Sequence, residues 1–361
     1  PKARQEKTVL HFIKTGRIPW WIPSHAEMRK ILAEKELIEL IQNTNPEFIA
    51  EVLKLMKTPL IRRRMIRQFN VEIIFEILKS LATSRQATFE ELATRINSKE
   101  FLTILEQVRP TEKMELLDAI IVNSIREENP DSIQTRLALV LKKDAETSTK
   151  RITRFFEKEL PEFAKSLPKA EELNLSERSE PESTDASELE EDSIEETFNQ
   201  LIAENAGLVI LSPFFKPVLK NLDLLEEDGS LKDPVLTAHM FHYLATGEEE
   251  DYEFALIFEA YLCGLPINEP LPKSVPLTDE IKEECQKVLE SVLVHWEALK
   301  SNSVPLLQNN FLQRPGKLML KEETPRIIIE RTGIDILLDK IPWSISILKL
   351  PWHEKMTYVE W

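Results

Sequence analysis

The sequence predicts a mainly α-helical protein with an acidic linker and a small β-containing unit at its end. Apolar residues recur at helical spacing through most of the chain, and helix-capping residues precede many of these stretches. The chain has 22 prolines but 7 glycines, which favours short helices with firm ends over glycine-rich loops. Alternation of apolar and polar residues is clearest near the C-terminal end, where we expect short β-strands.

Composition divides the chain into four segments. We predict a domain of helical hairpins over residues 1–168, a disordered acidic linker over 169–192, a second helical domain over 193–303 and a small α+β unit over 304–361. Residues 170–197 carry 12 acidic residues, one basic residue and no aromatic side chain. Such a composition buries too little apolar surface to offset the entropy of ordering.

Capping patterns mark the helices of the first segment. The first predicted helix covers residues 1–14 and ends at Gly16, and a capping box at Ser24 and Glu27 begins a helix that runs to about Gln42. Further helices begin at Asn45, Pro59 and Asn70 and continue in the same way to Ser166. Because no repeat of fixed period is present, helical hairpins are the prediction and a short solenoid stays a hypothesis.

A stiff apolar elbow follows the first helix. It has the sequence Ile18-Pro19-Trp20-Trp21-Ile22-Pro23, in which a proline fixes the backbone on each side of the paired tryptophans. One interpretation is that the elbow closes an end of the helical domain. The other is that Trp20 and Trp21 form an exposed contact for a partner, because contiguous large apolar groups on a surface usually mark a contact.

The second half begins with a capping pattern at Ser193 and Glu196 and continues as apolar helices. A small antiparallel β unit is predicted after them. Its elements are strands at Lys317–Glu322, Arg326–Glu330 and Trp343–Leu350, a helix at Gly333–Lys340 and an alternating segment at Tyr358–Trp361.

Three tryptophans lie in this last unit. Trp343 alternates in phase with Ile345 and Ile347, so these three are predicted core anchors of the small sheet. Trp352 and Trp361 are predicted partner contacts, because tryptophan is enriched where protein interfaces hold most of their binding energy. The alternative that all these tryptophans are core residues remains open.

Motifs for chemistry are weak. No nucleophile elbow, phosphate-binding loop or dinucleotide glycine pattern is present. His239 and His242 share a helix face near Cys263 in sequence, but they fall short of the usual metal-ligand spacing, and ordinary helix histidines are the favoured interpretation. The cluster of Arg62–Arg64 with Arg67 fits either a phosphate or acidic partner, or a solvated face with pairs inside the chain, which we favour. We therefore predict no catalytic residue, no metal and no cofactor.

Charge and composition limit the other classes of protein. The net charge is −16, and the basic residues of the first half are mixed with acidic ones, which argues against a dedicated nucleic-acid-binding protein. The two cysteines lack CxxC spacing, which favours a reduced protein of the cytoplasm. No apolar stretch reaches 18 residues, so no membrane insertion is predicted.

Several motifs resemble the tape measure proteins of contractile injection systems, the phage-tail-like machines. Two lie upstream, His11–Trp21 and Leu262–Pro266 with Glu269–Leu271. The others lie near the end of the chain, and they are Arg314–Leu318, Asp335–Asp339 leading into Ile341–Ser346, Leu350–Trp352 and Val359–Trp361. The motifs occur in the family's order and touch both ends of the chain, whereas the middle carries none.

The resemblance implies a non-enzymatic assembly protein that sets the length of the tube and sheath. Its implied partners are tube, baseplate or cap subunits of a particle that assembles in the cytoplasm, and self-association stays open. The competing hypothesis is a helical scaffold or adaptor for baseplate or cap assembly that measures nothing. One feature departs from a simple ruler: a wholly helical chain of this length would span about 540 Å, but its prolines forbid one continuous helix.

Overall fold

The computed structural model describes residues 2–82, 200–300, 302–320, 324–353 and 355–361, with single positions between 103 and 158. The chain divides into two compact units, Pro1–Ser183 and Thr184–Trp361. The predicted mainly α fold class is confirmed. The predicted acidic linker and most of the helices predicted between residues 83 and 168 lie outside the described residues.

Six helices lie within residues 2–82 of the first unit. They are α1 (Lys2–Thr15), α2 (His25–Ile31), α3 (Glu34–Asn43), α4 (Pro46–Leu55), α5 (Pro59–Gln68) and α6 (Val71–Ala82).

The predicted caps begin and end these helices. Helix α1 is followed by Gly16, whose φ of 71° lies in the left-handed region that glycine adopts without strain. The Ser24 side chain accepts a hydrogen bond from the Glu27 backbone N–H, as its capping box predicts. The single helix predicted from Ser24 to Gln42 is wrong in one respect, since α2 ends at Ile31 and α3 begins at Glu34.

The arginine cluster serves the packing of this unit. Arg64 is 2% exposed and donates to the carbonyls of Ile13 and Lys14 at 3.2 and 3.0 Å, at the C-terminal end of α1. Arg62 donates to Asp118 at 2.7 Å and to the carbonyl of Met56 at 3.1 Å. Pairing inside the chain is therefore as predicted for these two, but Arg64 is buried rather than on a solvated face.

The second unit combines helices with a five-stranded sheet. Its helices are α7 (Ser212–Asn221), α8 (Pro234–Thr246), α9 (Ile257–Leu262), α10 (Asp279–His295) and α11 (Val304–Leu307). Tighter 3-10 helices occur at Ala206–Leu211, Glu253–Leu256, Glu297–Leu299 and Gly333–Lys340, and a π-helical turn occurs at Gln308–Leu312. The strands are β1 (Gln200–Ala203), β2 (Gly316–Met319), β3 (Arg326–Ile329), β4 (Ile347–Leu348) and β5 (Thr357–Glu360).

The sheet has the strand order β1-β2-β3-β5-β4. Neighbouring strands are antiparallel except β3 and β5, which are parallel, so the sheet is mixed and the antiparallel prediction is corrected. Strand β1 was not predicted, and it lies more than 100 residues before its partner β2. A parallel pair needs a crossover between its strands, and the 3-10 helix at Gly333–Lys340 lies in that connection.

One hydrophobic core holds this unit together. It extends from Leu201 on β1 to Val359 on β5 and includes the fully buried Trp296 and Phe311. Because the helices and the sheet share this core, the predicted boundary between 193–303 and 304–361 runs through a single packed body.

The strand predicted at Trp343–Leu350 is mostly wrong. Only Ile347 and Leu348 pair with β5. Ser346 and Ile347 are both exposed, so the alternation changes phase there, and Leu348 rather than Ile347 faces the core. Ile347 is 48% exposed, which corrects its assignment as a core anchor.

Candidate docking surfaces

The C-terminal part of the chain is tied to the helical core through indole N–H groups. Each of the four tryptophans of the second unit donates one hydrogen bond. The pairs are Trp296 with the Leu337 carbonyl at 3.1 Å, Trp343 with the Ile210 carbonyl at 2.9 Å, Trp352 with the Leu262 carbonyl at 2.8 Å and Trp361 with Asp335 Oδ2 at 3.3 Å. A buried indole needs such a partner, and here each one joins segments far apart in sequence.

Trp343 and Ile345 are half-buried against the core of the second unit. The Trp343 ring meets Phe214 on α7 edge to face, with ring centroids 5.4 Å apart. Both contacts of Trp343, to Phe214 and to Ile210, are with the first helical segments of this unit. Trp343 therefore joins the C-terminal part of the chain to the first helices of the unit.

Trp361 closes onto a buried ion pair. Arg314 donates to both carboxylate oxygens of Asp335 at 2.8 and 3.0 Å, and its guanidinium lies 5.5 Å from the centroid of the Trp361 ring. Burial alone would raise the pKa of Asp335, but the hydrogen bonds from Arg314 and Thr332 outweigh it and the pKa is lowered. The last residue is thus half-covered by its own chain, and its role as a partner contact stays a prediction.

Trp352 is also half-buried, with its ring packed against the core. Beside it, His353 lies 4.9 Å from the Tyr261 ring, and the Tyr261 hydroxyl shares a 2.5 Å hydrogen bond with Thr357 on β5. Trp352 is only partly buried, and its role as a partner contact stays a prediction.

The two tryptophans of the elbow meet edge to face, with ring centroids 5.8 Å apart, but they differ in exposure. Trp21 donates to the Thr8 hydroxyl at 2.9 Å, and Lys7 lies 4.7 Å from its ring centroid, so Trp21 packs on α1. Trp20 is 89% exposed. Because most of its surface is open to solvent, Trp20 is the better of the two candidates for a partner contact.

The outer face of the sheet is a surface that sequence reasoning missed. Alternate residues of each strand point away from the core, and several of them are large and apolar. These are Ile202, Ile328, Ile347 and Tyr358, which are 54, 38, 48 and 46% exposed, together with the half-buried Met319. The sequence does show that some strands are apolar on both faces, as in Arg326–Ile329. It does not show how the strands pair, and that pairing is what joins their outward residues into one surface.

A buried polar cluster joins α8, α9 and the turn after β1. Asn205 Nδ2 donates to Glu259 Oε1 at 2.7 Å, and His242 Nδ1 lies 3.3 Å from the same oxygen. Burial alone would lower the pKa of His242, but the bond and charge of Glu259 outweigh it and raise that pKa. Burial, with the nearby His242, lowers the pKa of His239 from 6.5 to about 4. The Glu259 carboxylate on α9 thus contacts both His242 on α8 and Asn205 after β1.

The buried thiols are held protonated. Burial raises the pKa of Cys285 to about 12 and that of Cys263 well above its ordinary value. Thiolates are the reactive form of cysteine, so neither side chain is set up as a nucleophile or ligand.

Within the described ranges, no group of three or more His, Cys, Asp or Glu residues is arranged to hold a metal ion. No helix in the same ranges is long and apolar enough to cross a membrane.

The described sites are thus exposed surfaces and packed anchors on a mainly α-helical scaffold. The chain belongs to the contractile injection system tape measure protein family, whose model matches residues 1–361. The resemblance of the sequence motifs is thereby confirmed. No curated protein and no solved structure matches the chain.

Proposed function

We propose that this chain is a non-enzymatic assembly protein that sets the length of the tube and sheath of a contractile injection particle. The observation that carries the proposal is the family match over residues 1–361. It acts in the cytoplasm on the assembling particle, and its partners are tube, baseplate or cap subunits. Trp20, Trp21, Trp352 and Trp361 are its proposed contact residues.

Two features of the structure support a role in assembly. The second unit has one continuous core closed by the last residue of the sequence, so it presents a defined body to a partner. The Trp20 ring and the outer sheet face are apolar and exposed, and they lie on different units. A protein with an adhesive surface on each of two units can contact two components of a particle.

The experiment complements a strain that lacks the gene for this protein. Particles would be purified and their tube lengths measured by negative-stain electron microscopy, with the intact gene and an empty plasmid as the two references. We expect the intact chain to restore a narrow length distribution. If the empty plasmid gave fewer particles of the same narrow length, the chain would be an adaptor that promotes assembly without measuring.

A further inference from the structure

The outer face of the sheet is a small, regular surface. The strand register places Ile202, Lys317, Ile328 and Glu360 side by side in one row across β1, β2, β3 and β5. The next row holds Met319, Arg326, Tyr358 and Ile347 across β2, β3, β5 and β4. Five of these eight outward positions are isoleucine, methionine or tyrosine.

A face with this composition is unusual for a sheet that packs on only one side. Sheets with one solvated face alternate apolar residues inward with polar residues outward. Here the inward residues obey the rule, since Leu201, Leu318, Ile327 and Val359 are buried. The outward ones follow it only in part, because large apolar or aromatic side chains alternate with Lys317, Arg326 and Glu360 along the rows. Several large apolar groups gathered on one exposed face mark a binding site.

The size of the face limits what covers it. Five strands at about 4.8 Å spacing and two rows of side chains give roughly 24 by 13 Å, or about 300 Å². A stable protein–protein interface takes about 800 Å² from each partner, so this face holds a single element of a partner and not the whole of an interface. One α-helix, about 10 Å wide and 16 residues long, matches both dimensions.

The charges on the face indicate which side chains a bound partner should carry. Arg326 is paired with Glu360 at 2.6 Å across the β3–β5 boundary. Lys317 lies exposed between Ile202 and Ile328 in the other row, and it has no ion-pair partner among the described residues. A helix seated on this face gains from a carboxylate placed beside its apolar stripe, opposite Lys317.

We propose that the outer sheet face binds one amphipathic α-helix of another protein, with an apolar stripe over Ile328 and Tyr358 and an acidic residue facing Lys317. The proposal goes beyond the setting of tube length, because it concerns the chemistry of one contact and holds for a ruler or an adaptor alike. Helix recognition of this kind is read through residues at i, i+3, i+4 and i+7 of the bound helix.

The test is photocrosslinking from the full chain in cells that assemble the particle. The probe is p-benzoylphenylalanine in place of Tyr358, an aromatic side chain that is 46% exposed on the face. The control carries the same probe in place of Ile336, which is 67% exposed on the 3-10 helix outside the sheet. Crosslinked peptides would be sequenced by mass spectrometry, with mixed isotope labelling to tell copies of this chain apart.

We expect crosslinks from position 358 to a helix of a different protein that has an apolar stripe flanked by Asp or Glu. Ile328→Ser or Lys317→Glu in the probe-bearing chain should lower their yield by about tenfold, which is 1.4 kcal/mol of binding. Ile336→Ser, a matched change off the face, should leave the yield unchanged. Thermal melting of each variant would show that the fold is intact, since the replaced side chains are exposed.

Three results would overturn the proposal. Crosslinks to a second copy of this chain would make the face a self-association surface. Crosslinks to another segment of the same molecule would make it an internal packing face. A yield no greater than that of the probe at position 336 would leave the face without a partner. None of these readouts depends on tube length, so failure here is distinguishable from failure of the proposed function.

Discussion

Replacing Asp335 by asparagine should lower the free energy of unfolding of the second unit by about 3 kcal/mol. Asp335 is fully buried, and the Arg314 side chain it pairs with is 9% exposed. Asparagine keeps the shape but removes the negative charge, so the guanidinium stays buried without its counter-charge. Breaking a buried pair in this way costs about 3–5 kcal/mol. The lower end applies because Arg314 keeps its bond to the Glu330 carbonyl at 2.6 Å.

The assay is thermal and urea unfolding of the full chain, followed by a signal from the second unit such as tryptophan fluorescence. For a unit of this size, about 3 kcal/mol corresponds to a fall in midpoint of roughly 6–12 °C. The matched control is Asp339→Asn on the same 3-10 helix, where Asp339 pairs with Arg331 at 2.9 Å but both side chains are exposed. The control should lose less than about 1 kcal/mol.

Acid should reduce the difference between wild type and Asp335→Asn. The pKa of Asp335 is lowered in the folded state, so its stabilising contribution is present above the unfolded value near 3.8 and is lost as the pH falls through the folded value. The two proteins should therefore converge below about pH 4. Equal losses from Asp335→Asn and Asp339→Asn at neutral pH would refute the reasoning that burial makes this pair important.

Three further perturbations test other parts of the structure. Gly207→Ala should cost about 3 kcal/mol or more in thermal melting, because an added Cβ would lie 1.7 Å from the Phe311 carbonyl oxygen, whereas Gly333→Ala, in open space, should be nearly neutral. His239→Leu should gain up to about 3 kcal/mol in free energy of unfolding relative to wild type as the pH is lowered from 7 to 4. The folded pKa of His239 is about 4 and its ordinary value is 6.5, so protonation of the unfolded state destabilises wild type over this range but not the variant. An unchanged difference between the two proteins would contradict this. Trp20→Ala should leave the free energy of unfolding within about 0.5 kcal/mol of wild type and reduce the number of particles. A large loss of stability would show that the Trp20 ring belongs to the core.

Local patterns predicted the elements whose causes are local. The helix starts predicted at Ser24 and Asn45 are each confirmed by a side-chain bond to the first turn of the following helix. The end of α1 at Gly16 follows from glycine's freedom at positive φ. In each case the residues that decide the structure lie within one helical turn of each other.

The elements set by distant contacts could not be predicted in the same way. Strand β1 is four residues long and exists because β2, more than 100 residues later, pairs with it. The alternation from Trp343 predicted a long strand, but only Ile347 and Leu348 form a strand, and the Trp343 indole bonds to the Ile210 carbonyl instead. Sequence distance hides such pairings because short apolar strands carry little information about their neighbours.

The candidate surfaces also differ in whether the local sequence could predict them. The exposed Trp20 was a candidate from its prolines and its apolar neighbours alone. The outer sheet face was not, because it exists only once Ile202, Ile328 and Tyr358 are brought together by the strand order. The ion pair of Arg314 and Asp335 was hidden for the same reason, although each residue lies in a motif that the sequence singled out.

The most direct measurement of the central claim is tube length against the length of this chain. Residues 170–192 would be duplicated within the full chain, and a scrambled copy of the same length would be inserted as the control for sequence. If the chain sets the length, both insertions should lengthen the tubes by the same amount, about 35 Å if the insert is helical and up to about 75 Å if it is extended. A tube length that stays constant across both insertions, with particles still formed, would contradict the claim.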